Sequence, residues 1–193
     1  KVITASTAAA LLSYTWTIPD DISNTVRVRI TDTGDASVFD TSNANFSIKG
    51  SLTVTAPNGS EIWIVSDAQN ITWTKTGTIA NVKLEYSKNA FADELQTFEI
   101  IASTPADPLP TDNAGTYAWT IPDAISSTVK VRVSNVADST VLDTSNANFA
   151  IKGSLTLSSP NGSEVWIVGA SQPVTWSKVG SIANVKLEYS TDG

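Results

Sequence analysis

Two tryptophans at matched places are the residues best suited to surface chemistry. Trp63 stands in Pro57-Asn-Gly-Ser-Glu-Ile-Trp-Ile-Val65, and Trp166 in Pro160-Asn-Gly-Ser-Glu-Val-Trp-Ile-Val168. An indole on an edge strand offers a flat apolar face that suits the C–H face of a pyranose, so both are candidate carbohydrate contacts. The same rings can instead cover a sandwich rim or a domain junction, and packing is the commoner fate of Trp. The acids of 32–40 and 138–143 are a second candidate, because calcium wants several carboxylate and carbonyl oxygens. Only Asp35/Asp138 and Asp40/Asp143 recur as acids, without Asp-x-Asp-x-Asp spacing, so these loops read as solvated turns and no metal ligand is assigned. Lys83, beside Asn81 and Glu85, has the residue types of a Lys–Asn isopeptide cross-link, yet strand alternation turns it outward. The chain has no His and no Cys, so no conventional nucleophile–base dyad can form. No carboxylate pair falls on a shared inward face. No catalytic or cofactor-binding residue is assigned, and the chain does not read as an enzyme.

What must position these residues is a repeat. Trp63 and Trp166, Trp73 and Trp176, and Tyr86 and Tyr189 are each about 103 positions apart, a domain-sized period. Within it, Tyr14-Thr-Trp-Thr-Ile18 and Thr25-Val-Arg-Val-Arg-Ile30 alternate apolar with polar residues, the period of half-buried strands. Lys1–Ser6 also reads as a strand, and Pro19-Asp-Asp21 reads as a stop. The complete unit, 50–152, predicts strands at Leu52–Thr55, Glu61–Val65, Asn70–Thr74, Asn81–Ser87, Thr97–Ala102, Tyr117–Ile121, Thr128–Val133 and Phe149–Lys152. Seven or eight short strands in about 100 residues describe an all-β, immunoglobulin-like or fibronectin-III-like β-sandwich in tandem repeats. Trp73, Leu84, Tyr86, Trp119, Val129 and Val131 are the expected inward residues. Lys83, Glu85, Lys130 and Arg132 are the outward ones, with Glu85 opposite Lys130 or Arg132 in an exposed pair contributing about 0.2–1 kcal/mol.

Lys49-Gly50-Ser51 and Lys152-Gly153-Ser154 mark the passage from one unit to the next, with no Pro- or Ser-rich spacer. These six residues are the candidate inter-repeat junctions, expected to hold adjacent units with little freedom. Residues 1–49 then read as the back half of a unit and 153–193 as the front half of another. Each is too short to bury a stable core alone. A chain without Met that opens on Lys1 reads as a segment of a longer protein. If its ends are real, the front half of one molecule is expected to dock on the back half of the next, head-to-tail, which builds a filament.

Composition narrows the partners. The net charge is -7, with no Lys/Arg cluster to neutralise phosphates, so no nucleic acid is expected. No apolar run reaches the roughly 18 residues of a membrane span. The run Pro-Asn-Gly-Ser-Glu-x-Trp-x-Val, the Gln-x-x-Thr-Trp strand and Val-Lys-Leu-Glu-Tyr-Ser, with the later Tyr-x-Trp-Thr-Ile-Pro-Asp and Val-x-Val-Arg, resemble a known repeat. The chain is similar to the Ser-Thr-rich glycolipid-anchored fungal cell-wall family and its relatives in very large bacterial surface proteins. Ser66 replaces the commoner Gly at the end of the first Trp motif, where the second copy keeps Gly169. The resemblance implies a β-sandwich in an extracellular array with stalk, adhesive or wall-associated roles. The expected partners are neighbouring repeats of the same or identical chains, with surface polysaccharide as the alternative ligand.

Overall fold

A strand persists only where its backbone N–H and C=O groups find a ladder partner, since unpaired groups under a packed face are costly. That rule explains which parts of this chain are strands. The computed structural model describes residues 1–101 and 114–192. The N-terminal segment carries β1 (Ser23–Val26), β2 (Arg29–Thr31), β3 (Phe39–Thr41) and β4 (Phe46–Ile48). The central unit carries β5 (Ser51–Ala56), β6 (Ile62–Ile64), β7 (Ala68–Thr76), β8 (Val82–Ser87), β9 (Thr97–Glu99), β10 (Ala114–Thr120), β11 (Ser126–Asn135), β12 (Leu142–Thr144) and β13 (Phe149–Lys152). β14 (Ser154–Ser159) and β15 (Thr175–Val179) follow.

The central unit is an immunoglobulin-like β-sandwich. One sheet runs β10-β7-β5 and the other β6-β13-β11-β8-β9, with β12 also paired to β11. The opening strand therefore changes sheets: β5 pairs antiparallel with β7, and β6 pairs parallel with β13, Trp63 opposite Ile151. Pro57-Asn-Gly-Ser-Glu61 makes the crossing. The Glu61 carboxylate accepts from the backbone N–H of Asn58 at 2.8 Å and of Gly59 at 2.7 Å, which closes the turn. All six expected inward residues are buried, in one cluster with Val54, Ile71, Val133, Phe149 and Ile151. Burying each such aliphatic side chain contributes about 1.5–3 kcal/mol.

The expectation for Glu85 needs correcting. β8 and β11 do pair, and Arg132 is the residue opposite Glu85. The pair is not exposed, because Glu85 is buried. Arg132 contacts its Oε2 at 2.9 and 3.0 Å, and Lys83 holds Oε1 at 2.7 Å. The Phe91 ring lies over the Arg132 guanidinium, its centroid 4.5 Å away. Burial pushes the Glu85 carboxyl up, but the bonds from Lys83 and Arg132 outweigh it and hold the group below the ordinary carboxylate range.

The flanking segments repeat the central pairings at the same spacing. Ser23 and Val26 face Ile48 and Phe46, as Ser126 and Val129 face Ile151 and Phe149. Ser154 faces Val179, as Ser51 faces Thr76. Lys1–Ser6 and Tyr14–Ile18, expected as strands, are not strands. Nor are 164–168 and 184–190, the counterparts of β6 and β8. The reason is the ladder rule: in the central unit the equivalents of these four stretches pair with strands from the other half of the fold. Those partners are not supplied within either flank. The expected strand at Thr97–Ala102 ends at Glu99, and Ala102 lies outside the described residues.

Side chains follow the same division. Val65 is 5% exposed and its counterpart Val168 is 101% exposed; Tyr86 is 8% exposed and Tyr189 is 91% exposed.

Candidate functional site

The expected junction residues, Lys49-Gly50-Ser51 and Lys152-Gly153-Ser154, stand at the entries to β5 and β14, and one of a matched pair of carboxylate contacts lies near each entry. Pro19 and Pro122 end the Ile-Pro runs that precede them, because Pro has no ladder N–H to give. The next residue, Asp20 or Asp123, then projects toward the following unit. Asp20 Oδ1 accepts from the Thr78 backbone N–H at 3.0 Å, and Oδ2 accepts from the Thr78 hydroxyl at 2.6 Å. Asp123 does the same to Ser181, accepting its N–H at 3.0 Å and its hydroxyl. Both contacts span 58 residues. The Thr78 hydroxyl, then its N–H, holds the Asp20 carboxyl below the usual range, and Ser181 does the same for Asp123.

Apolar contact backs each clamp. At the first junction, Gly77 lies against Ile22 as well as Asp20. At the second, Gly180 lies against Val65 and Ile125 as well as Asp123. Lys75 donates to the Ile79 carbonyl at 2.8 Å and Lys178 to the Ile182 carbonyl at 2.7 Å, which fixes the loop the clamp grips.

Gly50 and Gly153 have no room for a side chain. A Cβ on Gly50 would sit 2.6 Å from the Thr76 carbonyl oxygen and 3.0 Å from Ile79. On Gly153 it would sit 2.5 Å from the Val179 carbonyl oxygen and 2.9 Å from Ile182. Close backbone approach, not turn geometry, is what Gly supplies here. Ser51 and Ser154 open the strands β5 and β14 and pair with Thr76 and Val179. Lys49 reaches forward into the central unit, 2.9 Å from Asp138, and donates to the Thr140 hydroxyl. Bonds from Thr140, then Lys49, lower the Asp138 carboxyl to about 2. Lys152 ends β13 and its side chain is exposed.

The acidic loops make turns. Asp35 accepts from the N–H and hydroxyl of Ser37, at 2.9 and 2.6 Å. Asp32 accepts from Gly34 N–H at 2.9 Å, and Asp143 from Val54 N–H at 2.7 Å across the sandwich. Among the described residues no group of three or more acids, His or Cys is placed to hold a metal ion.

Trp63 does not offer the free ring face that sugar stacking needs. It is 7% exposed, edge-on to Trp119 at 6.0 Å and tilted on Phe149 at 4.9 Å. These contacts anchor β6 to the core. Trp166 is 43% exposed, in a segment whose covering half is not part of the flank.

Asp20, Asp123, Thr78 and Ser181 went unread in the sequence as junction residues. The signal was present: Ile-Pro-Asp recurs at 18–20 and 121–123, and Gly-Thr-Ile at 77–79 recurs as Gly-Ser-Ile at 180–182. Asp after Pro also has a purely local explanation as a turn residue, and that explanation hides a contact made across 58 residues.

No family model matches the chain, and no curated protein matches it. Among solved structures, the chain is similar to the crystal structure of the RIG-5 IG1 homodimer. The identity is 10%, the TM-score 0.30, and the match covers 53% of this chain and 98% of that one. Among the described residues no helix is long and apolar enough to cross a membrane.

Proposed function

We propose that the chain is a segment of tandem immunoglobulin-like repeats, and that it works as a rigid rod or fibre outside a bacterial cell, at its surface. The observation that carries the reading is the junction: one Asp-to-hydroxyl clamp, with a forced glycine beside it, recurs 103 positions later with the same spacing. A single accidental contact between domains has no reason to recur. Two independent grips and a spacer-free passage remove the freedom that a linker would allow. The resemblance of the motifs to the fungal cell-wall family and its bacterial relatives supports the extracellular placement. Nothing in the site calls for catalysis, and the role that fits is mechanical.

The test is the joint's stiffness. The chain has no Cys, so spin labels at Thr33→Cys and Thr53→Cys report one distance across the first junction. A narrow distance distribution that broadens in Asp20→Ala is the expected result. A distribution as broad in the parent as in Asp20→Ala would sink the rod. Carbohydrate binding is the second reading, left to Trp166 because its counterpart Trp63 is buried where the unit is complete. Loss of polysaccharide pull-down in Trp166→Ala, with the parent binding, would favour it.

A further inference from the structure

We propose that the β6–β7 turn, Val65-Ser66-Asp67, is the positioning element of the joint. It locks the two sheets of a unit into one exit seat, shared with Asp123 and Ile125, and that seat takes a Gly-(Ser/Thr)-Ile loop of the unit that follows. The inference rests on the rod reading and names the partner chemistry of its joint.

The turn solves a problem of offset. The chain leaves the central unit from β13, in one sheet, whereas Asp123 follows β10, in the other. A clamp on the next unit sets its direction only if those two points are fixed to each other. The turn fixes them with its backbone. Val65 N–H donates at 2.9 Å to the carbonyl of Lys152, the last residue of β13 and one position before Gly153. Ser66 N–H donates to the Ile121 carbonyl at 2.9 Å, and the Asp67 carbonyl accepts from Ile121 N–H, also at 2.9 Å. Ile121 opens the Ile-Pro-Asp run that carries the clamp. These bonds tie the exit strand to the base of the clamp.

The shape of the turn is its own. Asp67 N–H donates to the Ile64 carbonyl at 3.1 Å, and Ala170 N–H donates to the Ile167 carbonyl at 3.0 Å at the matched place. Ser66 has a φ of 72° and Gly169 a φ of 85°, in the left-handed region that L side chains avoid. A serine persists there because the bonds around it outweigh the backbone cost.

The seat forms where this turn meets the next unit. A Cβ on Gly180 would lie 3.1 Å from Val65 Cγ2 and 3.3 Å from both Asp123 Oδ1 and Ile125 Cδ1. Gly180 also has a φ of 84°, so space and backbone both demand glycine. Val65 precedes β7, and Asp123 and Ile125 follow β10, so only a folded sandwich brings the three together. The next residue supplies a hydroxyl, because Asp123 accepts both the N–H and the hydroxyl of Ser181. Ile182 then packs at Gly153, where a Cβ would lie 2.9 Å from its Cδ1. Gly77-Thr78-Ile79 makes matching contacts with Asp20, Ile22 and Gly50. Glycine, a hydroxyl residue and isoleucine are therefore the chemistry that the seat recognises.

The test uses the full chain with spin labels at Thr53→Cys and Thr156→Cys, matched positions on β5 and β14 either side of the second junction. The parent should give a narrow distance distribution. Val65→Ala should broaden it several-fold while near-ultraviolet circular dichroism shows the central sandwich folded. Val133→Ala is the control, since it truncates a buried Val opposite Leu84 that none of these contacts uses. It should lower stability to denaturant at least as much and leave the distribution narrow. On the partner side, Ser181→Thr should keep the distribution narrow, and Ser181→Val, which has the shape of Thr without the hydroxyl, should broaden it. Ile125→Ala truncates a partly exposed side chain of the seat and should also broaden it; if Val65→Ala does not fold, this variant decides in its place. A distribution that stays narrow in Val65→Ala, or that Val133→Ala broadens as much, overturns the inference. A parent distribution already broad removes the rod itself, whereas a narrow one that Val65→Ala leaves unchanged removes only the role of the turn.

Discussion

The central unit and the flanks are written in nearly the same residues and end in different states. Leu84 and Leu187, Tyr86 and Tyr189, Trp63 and Trp166 are matched pairs, yet the first of each is buried and the second is half or wholly in water. Local propensity is equal in both copies, so it cannot be what decides. The difference is whether the other half of the fold is present to supply a ladder and a facing sheet. A β-strand is thus a property of a pair, more so than a helix, which satisfies its own backbone.

That comparison can be broken at several points. Trp63→Ala should lower the unfolding free energy of the central sandwich by about 3–5 kcal/mol, because it opens a cavity between Trp119 and Phe149. Trp166→Ala should leave the same denaturant transition unmoved in dilute chain. Equal losses from the two substitutions would mean that the flank is already covered. Leu84→Ala should cost about 2–5 kcal/mol and Leu187→Ala almost nothing, read by the same denaturation curves.

Charge gives a finer cut. Glu85→Gln leaves Arg132 under the Phe91 ring with a weaker partner and should cost about 1–3 kcal/mol, whereas Glu188→Gln should not register in dilute chain. The pH profile carries the same information. The folded-state carboxyl of Glu85 is held below its ordinary 4.5, so its contribution is present above that pH and is lost as pH falls through the depressed value. Thermal melts should therefore move down below about pH 4.5, and less so in Glu85→Gln.

The smallest effect belongs to the junction. Asp138 is lowered from 3.8 to about 2 by bonds from Thr140 first and Lys49 second, so its contribution is present above 3.8 and is lost as pH falls through about 2. The spin-label distance across the first junction should stay narrow at pH 4 and broaden between 3.8 and 2. Lys49→Ala should show some of that broadening at neutral pH.

Much of the central fold was legible in the residues. Alternation placed Trp73, Leu84, Tyr86, Trp119, Val129 and Val131 inside, and all six are. The Asn-Gly of the Pro57–Glu61 turn is visible in the sequence, but the Glu61 carboxylate that closes the turn is seen only in the structure. The junction was legible only in part. Lys49, Gly50 and Gly153 stand out by their repeat, whereas Asp20 after Pro19 reads as a local turn residue and gives no sign of its contact with Thr78. Glu85 was misread for a related reason: alternation says which sheet face a residue is on, and it cannot say that Phe91 folds over that face.

The sequence by itself determined the period, the strand-forming stretches, the turn chemistry and the inward set, because each of these follows from neighbours a few positions away. Tertiary structure decided which of those stretches became strands, what covered Glu85, and which carboxylate gripped the next unit. Those outcomes depend on groups brought together across tens of residues, and neither alternation nor turn propensity carries information over that distance.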